Sequence, residues 1–350
     1  MHHKSQERKG EIKMLISTQY NVLTRPNAEG HEVLCKVIVI EQGAEKLSTL
    51  KSFFEDCKLL GYRATRSNIL SILSTNIDLG GIFIPEIDDQ GGSCTALAIA
   101  INQVRPDLPI FLGIESGRKL EDLSENTQNA VVGIYTHGDF ARMQELVDTY
   151  LFSRHYPSEF ITGIKEITSD ILKSSFKDIN LVVDHPYIVK DKIIYGELFS
   201  LIPIETNWCR GYMMLQMEEG KIMEAISAKR ALINPPEPNF RHVNAVLGEL
   251  SNMIWGGLKN RYGSNTPENS TGKVRVEIPI IVNHDRKYIS FGSDDPQLCF
   301  KFSLLDSSSN INPITIYQKF IFSLDWTPEK FAESNQSVTE LVKGGELELF

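Results

Sequence analysis

The chain has 350 residues, of which 41% are hydrophobic, and it carries a formal net charge of −9 with a pI near 5.5. This length favours two domains, and the apolar content is sufficient for folded cores. The acidic balance argues against nucleic acid as the main partner, because phosphate binding requires a basic surface.

Cysteine spacing and the N-terminal sequence bear on the compartment. The five cysteines are widely separated and form no C-x-x-C pair: Cys35, Cys57, Cys94, Cys209 and Cys299. This spacing predicts reduced thiols rather than a disulfide framework or a zinc site. No apolar run approaches the roughly 20 residues of a membrane span, and the polar start MHHKSQERKG does not resemble a signal peptide. We therefore expect a soluble, cytoplasmic protein without a membrane partner.

Residues 1–32 are polar and mixed, and we interpret them as a flexible or weakly attached lead segment. Alternating strand and helix patterns then occupy residues 33–153. The β-branched run Val37–Ile40 predicts a strand that is buried on both faces. Apolar residues with helical spacing follow from Leu47 to Leu60, and Gly61 is a usual helix stop.

The alternation continues to Ser153. The further predicted elements are a helix at Ser67–Asn76, a strand at Gly81–Ile84, a helix at Cys94–Val104, a strand at Ile110–Leu112, a short helix at Leu120–Thr127, a strand at Ala130–Tyr135 and a helix at Phe140–Phe152. If one weakly marked strand is allowed for, the segment contains five βα repeats. This pattern predicts an α/β domain with a doubly wound, parallel five-stranded sheet.

This order resembles the receiver domain of two-component response regulators, and Val104–Ile110 (VRPDLPI) is the most specific local likeness. The wing domain of basic amino-acid decarboxylases is also similar. A working receiver has acidic residues after its first strand, an aspartate ending its third and a lysine after its fifth. The corresponding positions here hold Glu41, Glu86 and His137. The resemblance therefore implies a degenerate receiver that lacks the phosphoacceptor and the lysine.

Two aspartates, Asp88 and Asp89, follow the third predicted strand, but they come too late for the phosphoacceptor position and belong to a Gly-rich loop. That loop is not a phosphate loop, because no G-x-x-x-x-G-K-[ST] pattern accompanies it. An α/β scaffold without receiver ancestry remains an alternative.

The pattern changes over residues 154–325. Long helices occur with a meander of strands there: helices at Phe160–Phe176, Lys221–Leu232 and Phe240–Tyr262, an antiparallel pair at Leu198–Ile204 and Gly211–Met217, and strands at Val274–Val282, Tyr288–Phe291, Gln297–Leu304 and Ile314–Ser323. These elements predict an α+β domain. Residues 326–350 are predicted to be a charged and polar tail.

The helix Phe240–Tyr262 has an unusual polar side. Its apolar residues follow the three-and-four spacing of one buried stripe. At about 100° per residue, Ala245, Glu249, Asn252 and Gly256 fall within roughly 60° of one another on the other side. A carboxylate and an amide are thus predicted to stand side by side on the outward face, with small residues above and below them.

The second domain resembles the CheX branch of the chemotaxis phosphatases over about residues 158–305. The likeness rests on four segments in the family's order: the strand Gly211–Met217, the helix containing Ala225 and Ile226, the motif Glu249–Ile254 (ELSNMI) with Gly256 and Lys259 after it, and the strand Glu277–Pro279. A single E-x-x-N motif fits CheX better than its two-motif relatives. The chain departs from the family at Asn283, where a glycine is usual, and in the long loop after Tyr262.

This resemblance implies that the helix hydrolyses the aspartyl phosphate of a phosphorylated CheY-type receiver. Asn252 would orient the attacking water, and Glu249 would pair with the receiver's lysine. Ala245, Gly256 and Lys259 would contact the partner. The chain would need no cofactor of its own, because the receiver's acidic pocket would supply Mg²⁺.

A non-catalytic adaptor that binds a receiver, or a dimerisation module, is the competing hypothesis. A third reading, an enzyme of amino-acid metabolism, rests on the decarboxylase-like wing but lacks the context of a cofactor lysine and a large catalytic domain. A homodimer is a further expectation, although the sequence does not determine the oligomeric state.

Overall fold

The computed structural model describes residues 21–23, 32–41, 43–75, 78–88, 90–153, 156–190, 198–205, 209–262, 281–283, 288–290, 296–308 and 311–324. The predicted loop after Tyr262, most of the predicted strand Val274–Val282 and the predicted tail lie outside these residues. The chain folds into two compact units. The first includes Leu34–Ser153 and Ile188–Asp191, and the second includes Arg154–Tyr187 and Lys192–Phe350.

The first unit alternates strands and helices. Its elements in chain order are β1 (Asn21–Val22), β2 (Leu34–Val39), α1 (Ala44–Asp56), β3 (Leu59–Arg63), α2 (Ile69–Thr75), β4 (Gly81–Pro85), α3 (Thr95–Val104), β5 (Ile110–Ile114), a 3-10 turn (Leu120–Asp122), α4 (Glu125–Ala130), β6 (Gly133–Thr136) and α5 (Phe140–Tyr150). Its parallel strands have the spatial order β3-β2-β4-β5-β6. Numbered along the chain, this is 2-1-3-4-5, a doubly wound order shared by flavodoxin and CheY.

Both faces of this sheet are covered, which explains why its strands consist of continuous apolar runs. Ile38, Ile82 and Ile110 share one buried cluster with residues of α2 and α3. Aromatic side chains fill the opposite face. There the Phe83 ring lies 4.9 Å from the ring of Phe54 on α1 and 4.8 Å from that of Phe111 on β5. The predicted α/β class of the first domain is confirmed.

The predicted helix Leu47–Leu60 is wrong at its C-terminal end. The helix α1 ends at Asp56, and Lys58 has a φ of 57°, a left-handed conformation that stops a helix. Residues Leu59–Arg63 form β3, which pairs parallel to β2 with Gly61 opposite Val37. Leu59 and Leu60 fit helical periodicity equally well, so local pattern alone did not separate the two structures.

A short part of the predicted lead segment joins the same sheet. Asn21 and Val22 pair antiparallel with Arg63 and Tyr62 of β3. The Leu23 N–H donates to the Gly61 carbonyl at 2.8 Å. This pairing covers part of the otherwise open edge of β3.

The second unit combines helices with an antiparallel sheet. Its elements are α6 (Ser158–Ser175), β7 (Ile179–Val183), β9 (Leu198–Glu205), β10 (Cys209–Met217), α7 (Glu219–Ser227), α8 (Phe240–Tyr262), β11 (Ile281–Asn283), β12 (Tyr288–Ser290), β13 (Gln297–Asp306) and β14 (Ile314–Leu324). The strand β8 (Tyr187–Val189) follows β7 in the chain, and its residues Ile188 and Val189 belong to the first unit. Five strands form an antiparallel sheet in the order β7-β13-β14-β10-β9, and β11 pairs with β12. This confirms the predicted α+β class and the predicted β9–β10 pair.

Helix α8 is central in this unit, because it packs on α6, α7 and β9. Its C-terminal turn is tied to the N-terminal half of α6. Arg261 forms an ion pair with Glu166 at 2.8 Å, and the Tyr262 hydroxyl donates to the Glu159 carbonyl at 3.3 Å. The Phe160 and Tyr262 rings lie 5.3 Å apart. These contacts connect the predicted polar helix to the rest of its unit.

Two elements of this unit differ from prediction. The helix α7 ends at Ser227 rather than Leu232, because Lys229 takes a left-handed φ of 57°. The strand β7 was not predicted, and it pairs with β13 through long-range contacts. Within the described part of the chain, no helix combines the length and the apolar character needed to cross a bilayer.

The first unit contains a buried ion pair between Lys36 on β2 and Asp78. Lys36 is 6% exposed and Asp78 is 3% exposed. Arg105, also buried, donates to the Leu73 carbonyl. Burial lowers the pKa of Arg105 to about 10, an effect that the nearby Asp78 carboxylate opposes. The Asp78 carboxylate therefore compensates two cations that cannot reach water.

We expect Asp78→Ala to lower the free energy of unfolding of the first unit by about 3–5 kcal/mol, because Lys36 would stay buried without its counter-charge. Glu55→Ala, at an exposed site on α1, is the control and should change stability by less than about 0.5 kcal/mol. Chemical denaturation, combined with hydrogen exchange of the β2 and β4 amides, measures both. Equal stabilities of the two variants would contradict the assignment of Asp78 as the counter-charge of the buried Lys36.

Candidate functional site

The start of α8 is set by a reciprocal cap. Shortly ahead of the helix, the segment Asn234–Pro238 includes three prolines, which cannot continue a preceding helix. The Asn239 side chain accepts a hydrogen bond from the Arg241 N–H at 3.0 Å, and the Asn239 N–H donates to His242 Nδ1 at 3.1 Å. Two backbone donors that have no partner within the helix are thereby satisfied.

One side of α8 is buried and the other is open. The buried residues are Val243, Val246, Leu247, Glu249, Leu250, Ser251, Met253, Ile254, Gly257, Leu258 and Tyr262. They include the whole predicted apolar stripe (Val243, Val246, Leu247, Leu250, Met253, Ile254 and Leu258), and Glu249, Ser251, Gly257 and Tyr262 are buried in addition. The exposed side runs along Arg241, Asn244, Ala245, Gly248, Asn252 and Lys259, with Gly256 half-buried.

Asn252 stands on this open side. Ala245, two turns earlier, is exposed, and Gly256, one turn later, is half-buried. A Cβ built on Gly248 would meet no atom of the described residues within 4 Å. Few side-chain atoms therefore project from the helix around the Asn252 amide. This low surface lets a second backbone approach the amide closely. Lys259 lies exposed at the C-terminal end of the same side.

Glu249 does not lie on the outward face that the sequence predicts. It is only 7% exposed. On a helical projection it stands about 60° from Asn252, next to Val246 and Met253 at the border of the apolar stripe. Both of these neighbours are buried. A side chain at that border is covered with the stripe, so the helix presents the amide to the surface and keeps the carboxylate below it.

In the first unit, the carboxyl ends of the parallel strands carry the residues that correspond to a receiver's reaction centre. A cavity of about 220 Å³ opens there, and its lining includes Lys46, Glu86, Ser116, Thr136 and His137. Crevices at this end of an open parallel sheet are the usual ligand sites of doubly wound folds.

The carboxylate at the end of β4 is already engaged. Glu86 forms an ion pair with Arg118, from the loop after β5. Arg118 was not predicted to be part of this site. It lies in a loop 32 residues from Glu86 in the chain, and no local sequence pattern indicates that the two residues meet. Glu86 is 8% exposed, so this cation occupies the side of the carboxylate that faces the loop.

Asp88 is committed to the structure of its own loop. Its Oδ2 accepts a hydrogen bond from Arg66 at 2.7 Å, and its Oδ1 accepts from the N–H groups of Gly92 at 2.7 Å and Gln90 at 3.0 Å. The bond from Arg66 and the bonds from the backbone hold the pKa of Asp88 below its usual value. The carboxylate acts as the centre of a Gly-rich turn, consistent with its position after the strand.

His137 and Glu41 meet at the ends of β6 and β2. His137 Nε2 lies 3.5 Å from Glu41 Oε2, and the Gly43 N–H donates to Glu41 Oε1 at 3.1 Å. Burial, together with the Lys46 cation, lowers the pKa of His137 to about 4. The imidazole is therefore neutral at pH 7, in a position where a receiver carries a lysine cation.

No three His, Cys, Asp or Glu side chains among the described residues form a group that could hold a metal ion. The cavity in the first unit and the open side of α8 thus differ in chemistry. The cavity is lined by charges of both signs, and the open side of α8 offers the neutral amide of Asn252 on a low surface.

Known proteins are similar to separate parts of the chain. Residues 199–303, which include α8, match the family model described as "Chemotaxis phosphatase CheX", a match that covers less than a third of the chain. No curated protein matches the chain. Similar solved structures include a response regulator receiver domain protein from Clostridium thermocellum, with 13% identity, coverage of 33% of this chain and 94% of that chain, and a TM-score of 0.30. A response regulator from Thermotoga maritima has 16% identity, coverage of 34% of this chain and 98% of that chain, and a TM-score of 0.29.

Fold and site together define a protein of two units, in which a receiver-like, doubly wound unit precedes an α+β unit. In the second unit, residues 199–303 are similar to the CheX family of chemotaxis phosphatases. This similarity supports a role in two-component or chemotaxis-type signal transduction.

The lowered pKa of His137 predicts a pH dependence of stability. In the unfolded chain this imidazole titrates near pH 6.5, and in the folded chain near pH 4. Between these values the unfolded chain binds more protons, so stability falls as the pH falls through this window. The difference in unfolding free energy between wild type and His137→Gln should therefore shrink from pH 7 to pH 5. Parallel curves for the two proteins would exclude His137 as the cause.

Proposed function

We propose that the protein hydrolyses the aspartyl phosphate of a partner receiver in trans, with the exposed side of α8 as its half of the active site. The observation that carries the proposal is the position of Asn252. Its amide stands exposed on a long, well-anchored helix, inside the segment that matches the CheX family.

Asn252 would orient the attacking water. An in-line water is needed opposite the leaving carboxylate, and an amide accepts and donates hydrogen bonds without bringing a charge near the phosphoryl group. Holding the water in a reactive geometry removes much of its orientational entropy from the barrier. The low surface formed by Ala245, Gly248 and Gly256 supports this role, because it lets the receiver's phosphorylated loop reach the amide.

Glu249 would pair with the receiver's active-site lysine and fix the position in which the receiver docks on α8. Its position below the surface has a physical advantage, because an ion pair is stronger where the surroundings are less polar than water. The long aliphatic stem of a lysine can reach a carboxylate at this depth. Lys259 would meet the receiver at the rim, where charge affects the rate of encounter more than the affinity.

Mg²⁺ would be supplied by the phosphorylated receiver, whose own acidic residues hold it against the phosphoryl oxygens. In this proposal the metal neutralises charge on the phosphoryl group. The residues of α8 place the water and the receiver.

The first test uses a purified receiver that is phosphorylated with a small phosphodonor. We expect the protein to accelerate phosphate release, and we expect Asn252→Ala to lower that rate about 100-fold, because the water loses its orientation. Asn244→Ala removes the same side chain from another exposed position of the same helix, and it should stay within about twofold of wild type. Equal rates for wild type and Asn252→Ala would refute the phosphatase mechanism.

The second test concerns Glu249. Glu249→Gln keeps the shape of the side chain and removes its charge, so the lost ion pair should raise the KM for the phosphorylated receiver about tenfold, or about 1.4 kcal/mol, with a smaller change in kcat. Glu237→Gln, at an exposed position ahead of α8, is the matched control. A KM that is unaffected in Glu249→Gln would show that this carboxylate does not dock the receiver.

A non-catalytic adaptor is the second candidate, and the burial of Glu249 at 7% exposure is the observation that favours it. If the receiver lysine does not reach the carboxylate, α8 would bind the receiver without turnover. Calorimetric binding of a phosphorylated receiver, without faster phosphate release, would establish the adaptor in place of the phosphatase.

A further inference from the structure

Directly before Asn252, α8 carries a buried serine that contacts the sheet. Ser251 is 2% exposed, and its Oγ lies 2.5 Å from the Oγ of Ser200 on β9. Ser251 Oγ also donates to the Leu247 carbonyl at 2.7 Å. A hydroxyl has one hydrogen, so Ser251 accepts at the sheet and Ser200 is the donor of the shared bond.

The second long helix has a matching attachment to the same row of the sheet. Ser200 on β9 is paired with Leu215 on β10, and Leu215 is paired with Gln318 on β14. Thr168 of α6 donates to Gln318 Oε1 at 3.0 Å. Each helix is therefore joined to this row by one directional bond from a side-chain hydroxyl.

Apart from the polar contacts of Arg261 and Tyr262 with α6 at its C-terminal turn, α8 contacts its surroundings mainly through its apolar stripe. Apolar burial has no preferred direction, so it selects the face of the helix but resists a small rotation only weakly. A hydroxyl pair requires a narrow range of distance and angle. Rotating α8 would break the Ser200–Ser251 bond and leave the half-buried Ser200 hydroxyl without its acceptor, which is unfavourable.

A small rotation matters for Asn252. Side-chain tips lie about 5–6 Å from a helix axis, so a rotation of about 10° moves them by about 1 Å. A displacement of about 1 Å at a reacting group can lower a rate by about 100-fold. The bond that stops this rotation lies one residue away from the amide that depends on it.

We infer that Ser200 and Ser251 are positioning residues for Asn252: their hydrogen bond fixes the rotation and the axial register of α8 against β9. The inference rests on the proposed phosphatase function. The two serines are 51 residues apart, and neither would touch the receiver or the water.

The experiment compares Ser200→Ala with Thr168→Val in the full-length protein. Both changes remove one helix–sheet hydrogen bond from the same row, but only the first belongs to α8. We expect Ser200→Ala to lower kcat for receiver dephosphorylation about tenfold, with KM for the phosphorylated receiver within about twofold. Thr168→Val should keep kcat within about twofold of wild type. Its thermal stability should nevertheless fall about as much as that of Ser200→Ala.

Ser200→Thr tests the hydroxyl itself, because it keeps the donor and suits a strand. It should restore kcat to within about threefold of wild type. Ser251→Ala introduces a residue with a high helix propensity, so α8 should still form. This variant should reproduce the loss of kcat seen with Ser200→Ala.

Several outcomes would overturn the inference. Wild-type kcat in Ser200→Ala, while Asn252→Ala is inactive, would remove the positioning role and leave the phosphatase function intact. Equal losses of kcat in Ser200→Ala and Thr168→Val would show a general effect of destabilisation. A wild-type protein that does not accelerate phosphate release would refute the proposed function and this inference with it.

Discussion

The second unit depends on a single constraint: α8 has to bury a wide apolar stripe and keep a narrow strip open beside it. Burial of that stripe against α6, α7 and β9 stabilises the unit and selects the face of the helix that is covered. The same burial decides how each polar side chain at the stripe's border is presented. Asn252 stays at the surface, while Glu249, only about 60° away on the helix, is covered.

The two units use charged residues differently. At the carboxyl ends of the first unit's strands, Glu86 is neutralised by Arg118, and His137 is a neutral imidazole at pH 7. The helix α8 instead offers a neutral amide on an open surface. Under the proposed function, phosphate, metal and lysine therefore belong to another molecule. This fits a first unit that keeps the doubly wound fold and has a different set of charges at the end where a receiver reacts.

Much of the fold could be predicted from sequence, because burial leaves a local periodic record. The strands β2, β4 and β5 are buried on both faces and have continuous apolar runs, and α8 has one apolar stripe, so these elements were predicted correctly. The errors occur where two local structures fit the same pattern. Leu59 and Leu60 match a continuing helix, and the left-handed Lys58 with the open edge of β2 makes them a strand instead.

For the candidate site, the sequence by itself determined the apolar stripe of α8 and the outward position of Ala245 and Asn252, because helical periodicity is a property of near neighbours. Only the tertiary structure decided the burial of Glu249, the Ser200–Ser251 bond and the Glu86–Arg118 ion pair. Each of these depends on segments that are distant in the chain and adjacent in space. No local pattern records which distant segment will cover a side chain, and the packing of helix on sheet makes that choice.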